Sequence, residues 1–240
     1  MTLDLRVGTA GWQIPRAVRD RFADAPSGLE RYATRLTCVE INSTFYRSHQ
    51  ASTYQRWAEQ TPEGFRFAVK APKTVTHERR LKDAKHLMAA FLAETAQLGS
   101  KRGPVLVQLP ASLAFDKQIA AAFFTMVRAL YDGRLACEPR GVSWFEAEAE
   151  ELLRSHRVAR VGADPAVTPA AAEPGGWDGL SYRRVHGSPR LYSTPYRDDQ
   201  LMELAGRMAA DRGESWCVFD NTMSGAAAEN ALDLTARLGG

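Results

Sequence analysis

Phe65-Arg-Phe-Ala-Val-Lys70 alternates strictly: Phe65, Phe67 and Val69 share one face, and Arg66, Ala68 and Lys70 share the other. Successive side chains of a strand point to opposite sides. The hexapeptide therefore predicts a strand with one wholly apolar face and a second face that ends in a lysine. Segment 37–42 repeats the pattern, with Val39 and Ile41 opposing Cys38, Glu40 and Asn42. In segment 105–109, Val105, Val107 and Leu109 oppose Leu106 and Gln108.

Working outward, further strand-like runs lie at 5–9, 135–138, 158–164, 180–186 and 216–221, and helix-patterned segments separate them. Ser27-Gly-Leu-Glu30 and Ser143-Trp-Phe-Glu146 have the Ser-x-x-Glu form of a capping box. Asp83, Asp116, Asp198 and Ser224 are suited to cap the third, fourth, seventh and eighth helices. A strand followed by a helix and another strand implies parallel pairing, because the helix carries the chain back to the start of the sheet. Eight such units close a barrel. The expected fold is thus α/β, a TIM-type (β/α)8 barrel forming one domain over residues 1–240. One helix-poor connection is expected around 165–178, where Pro, Ala and Gly dominate. The rival is an open doubly wound sheet, but the first turn, Gly8-Thr-Ala-Gly11, lacks the glycine spacing of a dinucleotide fingerprint.

Composition bounds the function classes. The 240 residues are 45% hydrophobic and 25% charged, with a net charge of +3, values ordinary for a globular protein. Basic residues are interspersed with acids, so the clustered footprint of a nucleic-acid binder is missing and nucleic acid is an unlikely partner. No run approaches the roughly 20 apolar residues of a membrane span, and the N-terminus carries no signal-peptide pattern. A cytoplasmic protein without a membrane partner is expected. Cys38, Cys137 and Cys217 each sit in a strand-like run, where a thiol serves as a small buried hydrophobe.

If the apolar strand faces meet the helices, the polar faces point inward and their last members reach the C-terminal mouth. Glu40, Asn42, Lys70, Gln108, Glu138, Asp164, Arg184 and His186 then converge on one opening, with Arg140 just beyond the fifth strand and Asp220 and Asn221 closing the ring. Barrel enzymes place their chemistry at that end. The competing reading is a set of ion pairs that only satisfy one another, for which Arg66 and Arg160 are also suited.

Each residue type suggests a role. Glu40 and Glu138 are the expected catalytic acid and base, since two carboxylates in one pocket push their pKa values apart; pairing with Lys70 or Arg140 is the alternative. Lys70 and Asp164 complete the expected catalytic set, Lys70 either gripping an anion or forming a Schiff base. Arg140 and Arg184 suit a carboxylate or phosphate, His77 and His186 suit proton shuttling, and Asn42, Tyr46, Gln108 and Asn221 suit substrate orientation. No His-x-His or His-Glu-x-x-His motif is present, so no transition-metal site is expected. A hard metal held by Glu40, Glu138 and Asp164 stays open. Neither a phosphate-loop motif nor another nucleotide-cofactor signature occurs, and the cofactor, if any, is unknown.

Several blocks taken together resemble the YecE-like family, the domain of unknown function numbered 72. They are Gly8-Thr-Ala-Gly-Trp12, Glu40-Ile-Asn-Ser-Thr-Phe-Tyr46, Lys70-Ala-Pro72 with Thr76-His77, and Gln108-Leu-Pro110, followed by Glu138-Pro-Arg-Gly-Val-Ser-Trp144, Arg184-Val-His-Gly187 and Asp220-Asn-Thr222 with Asn230-Ala231. The resemblance implies a TIM-type barrel and supplies no activity. Two departures stand out. Pro139 and Gly141 replace an aromatic and a histidine of the family's Glu-Phe-Arg-His, and Asp220 replaces the first residue of its Asn-Asn. The functional expectation is an enzyme performing acid–base hydrolysis or isomerisation of a small anionic, sugar-like or phosphorylated metabolite. The alternative, from another class, is a non-catalytic ligand-sensing or nucleic-acid-associated binding barrel.

Overall fold

Gly8 of the first strand lies so close to the second strand that a Cβ on it would fall 2.1 Å from the Cys38 carbonyl oxygen. That contact is one seam of a sheet that curls almost fully into a barrel. The computed structural model describes residues 3–239. Strands β1 (Asp4–Ala10), β2 (Cys38–Ile41), β3 (Arg66–Lys70), β4 (Arg102–Gln108), β5 (Leu135–Glu138) and β6 (Val158–Arg160) pair in parallel in chain order. After Val161 the chain continues as β7 (Gly162–Asp164), which pairs in parallel with β9 (Leu180–Val185). β9 pairs with β10 (Glu214–Phe219), and β10 returns to β1. The sixth barrel position is therefore one strand broken at Val161, its first half bonded to β5 and its second to β9. A two-residue strand, β8 (Gly175–Gly176), pairs antiparallel with β6 and makes the sheet mixed. The result is a single-domain α/β fold, nearly closed and roughly TIM-like, as expected.

Helices α1 (Gly28–Tyr32), α2 (Ala51–Glu59), α3 (Lys85–Thr95), α4 (Lys117–Leu130), α5 (Ala147–Ser155), α6 (Asp198–Ala209) and α7 (Ala226–Leu238) lie outside the sheet. The connection after β7 holds only a short 3-10 turn, Pro169–Ala172, where the helix-poor segment was expected. Two of the expected caps form: Ser27 accepts from the Glu30 amide at 3.1 Å and Asp116 from the Ile119 amide at 3.0 Å. Others do not. Ser143 instead accepts from the Phe115 amide at 2.8 Å, pinning two loops together. α3 starts two residues after Asp83. Asp198 is the first residue of α6, and the Gln200 side chain reaches back to the Arg197 amide at 3.0 Å. Gly225, in the left-handed region, takes the position before α7 next to Ser224.

Two apolar layers result from the strand alternation. Val39, Ile41, Phe67, Val69, Val105, Val107 and Leu109 pack outward against Phe123, Phe124, Leu153 and their neighbours on the helices. Inside the barrel, Cys38, Ala68, Leu106, Ala136, Ala159 and Val161 face Tyr182, Trp216 and Val218. Small residues on one wall leave room for the Tyr182 and Trp216 rings, which stack with centroids 5.8 Å apart. Gly103 completes that fit, since a Cβ there would meet the Trp216 ring at 2.8 Å. The plug fills the lower barrel and leaves only the upper layer for polar groups.

Candidate functional site

Above the plug, the next inward residue of β2, β3, β4, β5 and β9, and the one just past β10, is charged or polar. Arg184, two residues beyond Tyr182 on β9, is completely buried and occupies the centre. Its Nε and Nη2 donate to Glu40 of β2 at 3.0 and 2.7 Å, its Nη1 to Glu138 of β5 at 2.6 Å, and its Nη2 also to Asp220, just past β10, at 2.9 Å. The Tyr182 hydroxyl donates to Glu40 at 2.9 Å. Gln108, the register partner of Glu138, donates to it at 3.0 Å. Arg140 adds a 2.6 Å ion pair to the other Glu138 oxygen. His186 lies between Glu138 and Asp220, with Nε2 3.0 Å from the first and Nδ1 3.1 Å from the second. Because Asp220 can only accept, Nδ1 carries a proton. Nε2 also lies 3.0 Å from Arg140 Nη2. A proton on Nε2 is donated to Glu138, and without one this nitrogen accepts from Arg140.

The electrostatics follow from who touches whom. Burial alone would raise the Glu138 carboxyl, but Arg184, Arg140 and His186 outweigh it and hold the group well below the usual carboxylate range. Asp220 is likewise held down, burial being overcome by Arg184, His186 and Lys70. Arg184 stays charged: burial opposes the cation, yet Glu138, Glu40 and Asp220 push its pKa further up. The expected acid–base splitting needs Glu40 and Glu138 to act on each other directly. A shared guanidinium stands between them, so Glu138 sees cations first and remains ionised near neutral pH.

Lys70 differs from every other charge in the ring. It ends β3 with 6% of its surface exposed, and among the described residues its amine has neither a carboxylate nor a hydrogen-bond partner. Its Nζ lies 4.3 Å from the centroid of the Phe45 ring. Thr44 Oγ1 fixes that ring's loop, sitting 2.8 Å from the Ile41 carbonyl and 2.7 Å from the Lys70 carbonyl, at the ends of β2 and β3. Burial and the nearby Arg184 bring the Lys70 amine down to about 8, against the opposing pull of Glu40, Glu138 and Asp220. His77 packs edge-on against the same Phe45 ring at 5.0 Å and holds Thr76 Oγ1 at 2.9 Å through Nδ1. Burial and then Lys70 lower its pKa.

The remaining expected residues divide. Asn42 lies at the end of β2 with a buried side-chain oxygen that has no hydrogen-bond partner among the described residues, and Arg140 Nε is in the same condition. Tyr46 is 71% exposed and touches the Phe45 ring edge-on at 5.0 Å. Asn221 turns away from the ring, donating to the Thr194 carbonyl at 3.1 Å and to Asn230 at 3.0 Å, which anchors the loop after β9 to α7. Asp164 is also apart. It accepts from the Tyr196 hydroxyl and lines a separate cavity of about 140 Å³ with Arg183, Glu203 and Arg207, on the outer face of β7. The trio Glu40, Glu138 and Asp164 therefore does not converge on a metal. Tyr182 was missed, although its place two residues before Arg184 on the same strand face is the signal that finds it. A cavity of about 920 Å³ opens beside the mouth, between the segment after β1 and the first turn of α7, with Trp12, Arg19, Arg31 and Ser224 among its walls.

A family profile described as "Protein of unknown function DUF72" matches residues 6–240. The UPF0759 protein YecE of Escherichia coli strain K12 is 35% identical over 194 residues, covering 81% of this chain and 65% of that protein. The UPF0759 protein YunF of Bacillus subtilis is 29% identical over 145 residues, covering 58% of this chain and 51% of that one. The chain thus spans less than two thirds of the length of these curated relatives. Among solved structures, a DUF72 protein of Thermotoga maritima superposes with a TM-score of 0.80 at 25% identity, covering 99% of this chain and 100% of that one. One of Enterococcus faecalis superposes with a TM-score of 0.82 at 22% identity, covering 98% and 95%. Among the described residues no helix is long and apolar enough to cross a membrane.

Proposed function

The chain belongs to the DUF72 family, and we propose that it is a cytoplasmic enzyme that moves protons on a small anionic or polar metabolite, sugar-like or phosphorylated, in a hydrolysis or isomerisation at the strand ends. One observation carries this reading: Lys70 is a buried residue whose amine has no counter-ion among the described residues, while Glu40, Glu138, Asp220 and Arg184 beside it are all paired. An unpaired buried cation is costly, and a purely structural ring would have no use for one. An amine that titrates near 8 suits proton transfer near neutral pH. Arg140, with 18% of its side chain exposed and Nε unpartnered among the described residues, is the group suited to grip the anion. Asn42, just past β2, and Gln108, at the end of β4, flank the β3 strand that carries Lys70 and would orient the anion. Glu138 serves here as the anchor of Arg140 and His186, and its low pKa removes it from the role of acid.

A second reading, binding without turnover, is favoured by the commitment of Glu40, Glu138 and Asp220 to ion pairs, which leaves none of the three free as a base. Calorimetric titration with inorganic phosphate, ribose 5-phosphate and fructose 6-phosphate, followed by NMR of the same compounds in deuterated water, separates the two. The enzyme reading expects saturable binding that weakens roughly 10-fold or more in Arg140→Gln, together with conversion of, or deuterium uptake by, at least one sugar phosphate. Binding with unchanged spectra supports the sensor. Equal binding by Arg140→Gln and the parent removes the strand-end site altogether.

A further inference from the structure

We propose that Lys70 is a covalent catalyst whose amine condenses with an aldehyde or ketone of the bound metabolite, so that the substrate class is a carbonyl compound bearing a phosphate or carboxylate. This rests on the reading of the strand-end site given above and extends it.

The geometry carries the inference. Glu40, Glu138 and Asp220 all lie in the same polar layer as Lys70, and any of them would be an ordinary partner for an ammonium. Each is bonded elsewhere: Glu40 to Arg184 and Tyr182, Glu138 to Arg184, Arg140, His186 and Gln108, and Asp220 to Arg184 and His186. Arg184 thus collects the carboxylates that would otherwise pair with Lys70, and its own charge opposes the ammonium. The Phe45 ring closes the other side without offering an acceptor. Burial and the Arg184 charge bring this amine down to about 8, so a far larger share of it is uncharged near neutral pH than in an ordinary lysine, and the uncharged amine is the nucleophilic form. The rest of the chain's lysines are differently placed: Lys73, Lys82, Lys85 and Lys117 are exposed, and Lys101 is held by the carbonyls of Ala58 and Thr61.

The step balances without a redox partner. The neutral Nζ attacks the carbonyl carbon, forming a C–N bond as the carbonyl π electrons move to oxygen. Proton transfers convert that oxygen to water, which departs as the C=N bond forms, so amine and carbonyl yield imine and water. His77, on the same Phe45 ring and disposed by its lowered pKa to be uncharged, is the group to relay those protons. Arg140 would hold the anionic end. A protonated imine withdraws electrons from the adjacent carbon, which is what an isomerisation through that carbon needs.

The test uses pyridoxal 5′-phosphate as an aldehyde with an attached phosphate. The intact protein is incubated with an equimolar amount near neutral pH and reduced with borohydride, and the adducts are located by peptide mapping. Lys70 is expected to carry roughly 10- to 100-fold more adduct than Lys73, Lys82, Lys85 or Lys117, because far more of its amine is unprotonated. Lys70→Arg, checked for a native circular dichroism spectrum, is expected to lose the major adduct, and Arg140→Gln to reduce it. Adducts distributed over the exposed lysines, or an undiminished total in Lys70→Arg, would overturn the inference. Saturable binding of inorganic phosphate without a Lys70 adduct would end the covalent role while leaving the proton-transfer reading intact. If neither phosphate nor the probe engages the site, both fall.

Discussion

Arg184 and Glu40, 144 residues apart in sequence, form a bidentate pair of 3.0 and 2.7 Å with no exposed surface on either side chain. Removing one member of such a pair leaves the other charge without water and without its partner, at a cost of about 3–5 kcal/mol. Glu40→Gln keeps the shape and deletes the charge, so Arg184 retains only Glu138 and Asp220. A loss of about 3 kcal/mol in urea denaturation is expected for Glu40→Gln, and a loss below the size of an ordinary surface substitution would show that the pair contributes little.

Much of this ring was legible in the strands that helices cover. Along β2, β3 and β4 an apolar outer face is demanded by α2, α3 and α4, so the polar residues had to point inward, and Glu40, Lys70 and Gln108 do. The same rule misplaced Asp164. Ala159 and Val161 are the inward residues of the broken sixth strand, which puts Arg160 and Asp164 on the outside. That face meets its helices through polar side chains, Glu150 of α5 beside Arg160 and Gln200, Glu203 and Arg207 of α6 beside Asp164, so polar groups find partners there. Arg160 bonds Glu150 and the Glu173 carbonyl, and Asp164 bonds Tyr196. Asn221 failed for a related reason: Trp216, Val218 and Asp220 point inward, and the next residue must turn away. The central place of Arg184 was not legible, because strand periodicity gives the face of a residue but not which of several acids will claim its guanidinium.

Acid should dismantle the ring. Glu138 and Asp220 have folded pKa values below their unfolded ones. Their contribution is therefore fully present above the unfolded value, about pH 4, and is lost as pH falls from there through the folded values, where the unfolded chain binds more protons. The urea midpoint is expected to drop steeply below about pH 4. Glu138→Gln, less stable at neutral pH, should show a shallower drop across the same window. Parallel curves for the two proteins would assign the acid sensitivity elsewhere.

Lys70 should cost stability. Its pKa falls from 10.5 to about 8 on folding, so between those values the unfolded state binds more protons and stability rises with pH. Below that window the buried ammonium carries a penalty on the order of 3 kcal/mol. Lys70→Met, similar in length and apolar, is expected to raise stability at neutral pH by about 1–3 kcal/mol. It should also abolish the gain between about pH 8 and pH 10.5. A less stable variant would mean that Lys70 is held by interactions stronger than the Phe45 ring.

Cys38 faces the barrel interior, whereas Cys137 and Cys217 belong to the outer core, and all three are buried and unbridged. Burial pushes the Cys217 thiol up to about 12 and raises the other two as well. Alkylating reagents react with thiolates they can reach, and an intact barrel offers them neither. Modification by such a reagent therefore counts opened molecules, which equips this chain with an intrinsic clock for unfolding that needs no substrate and no attached dye.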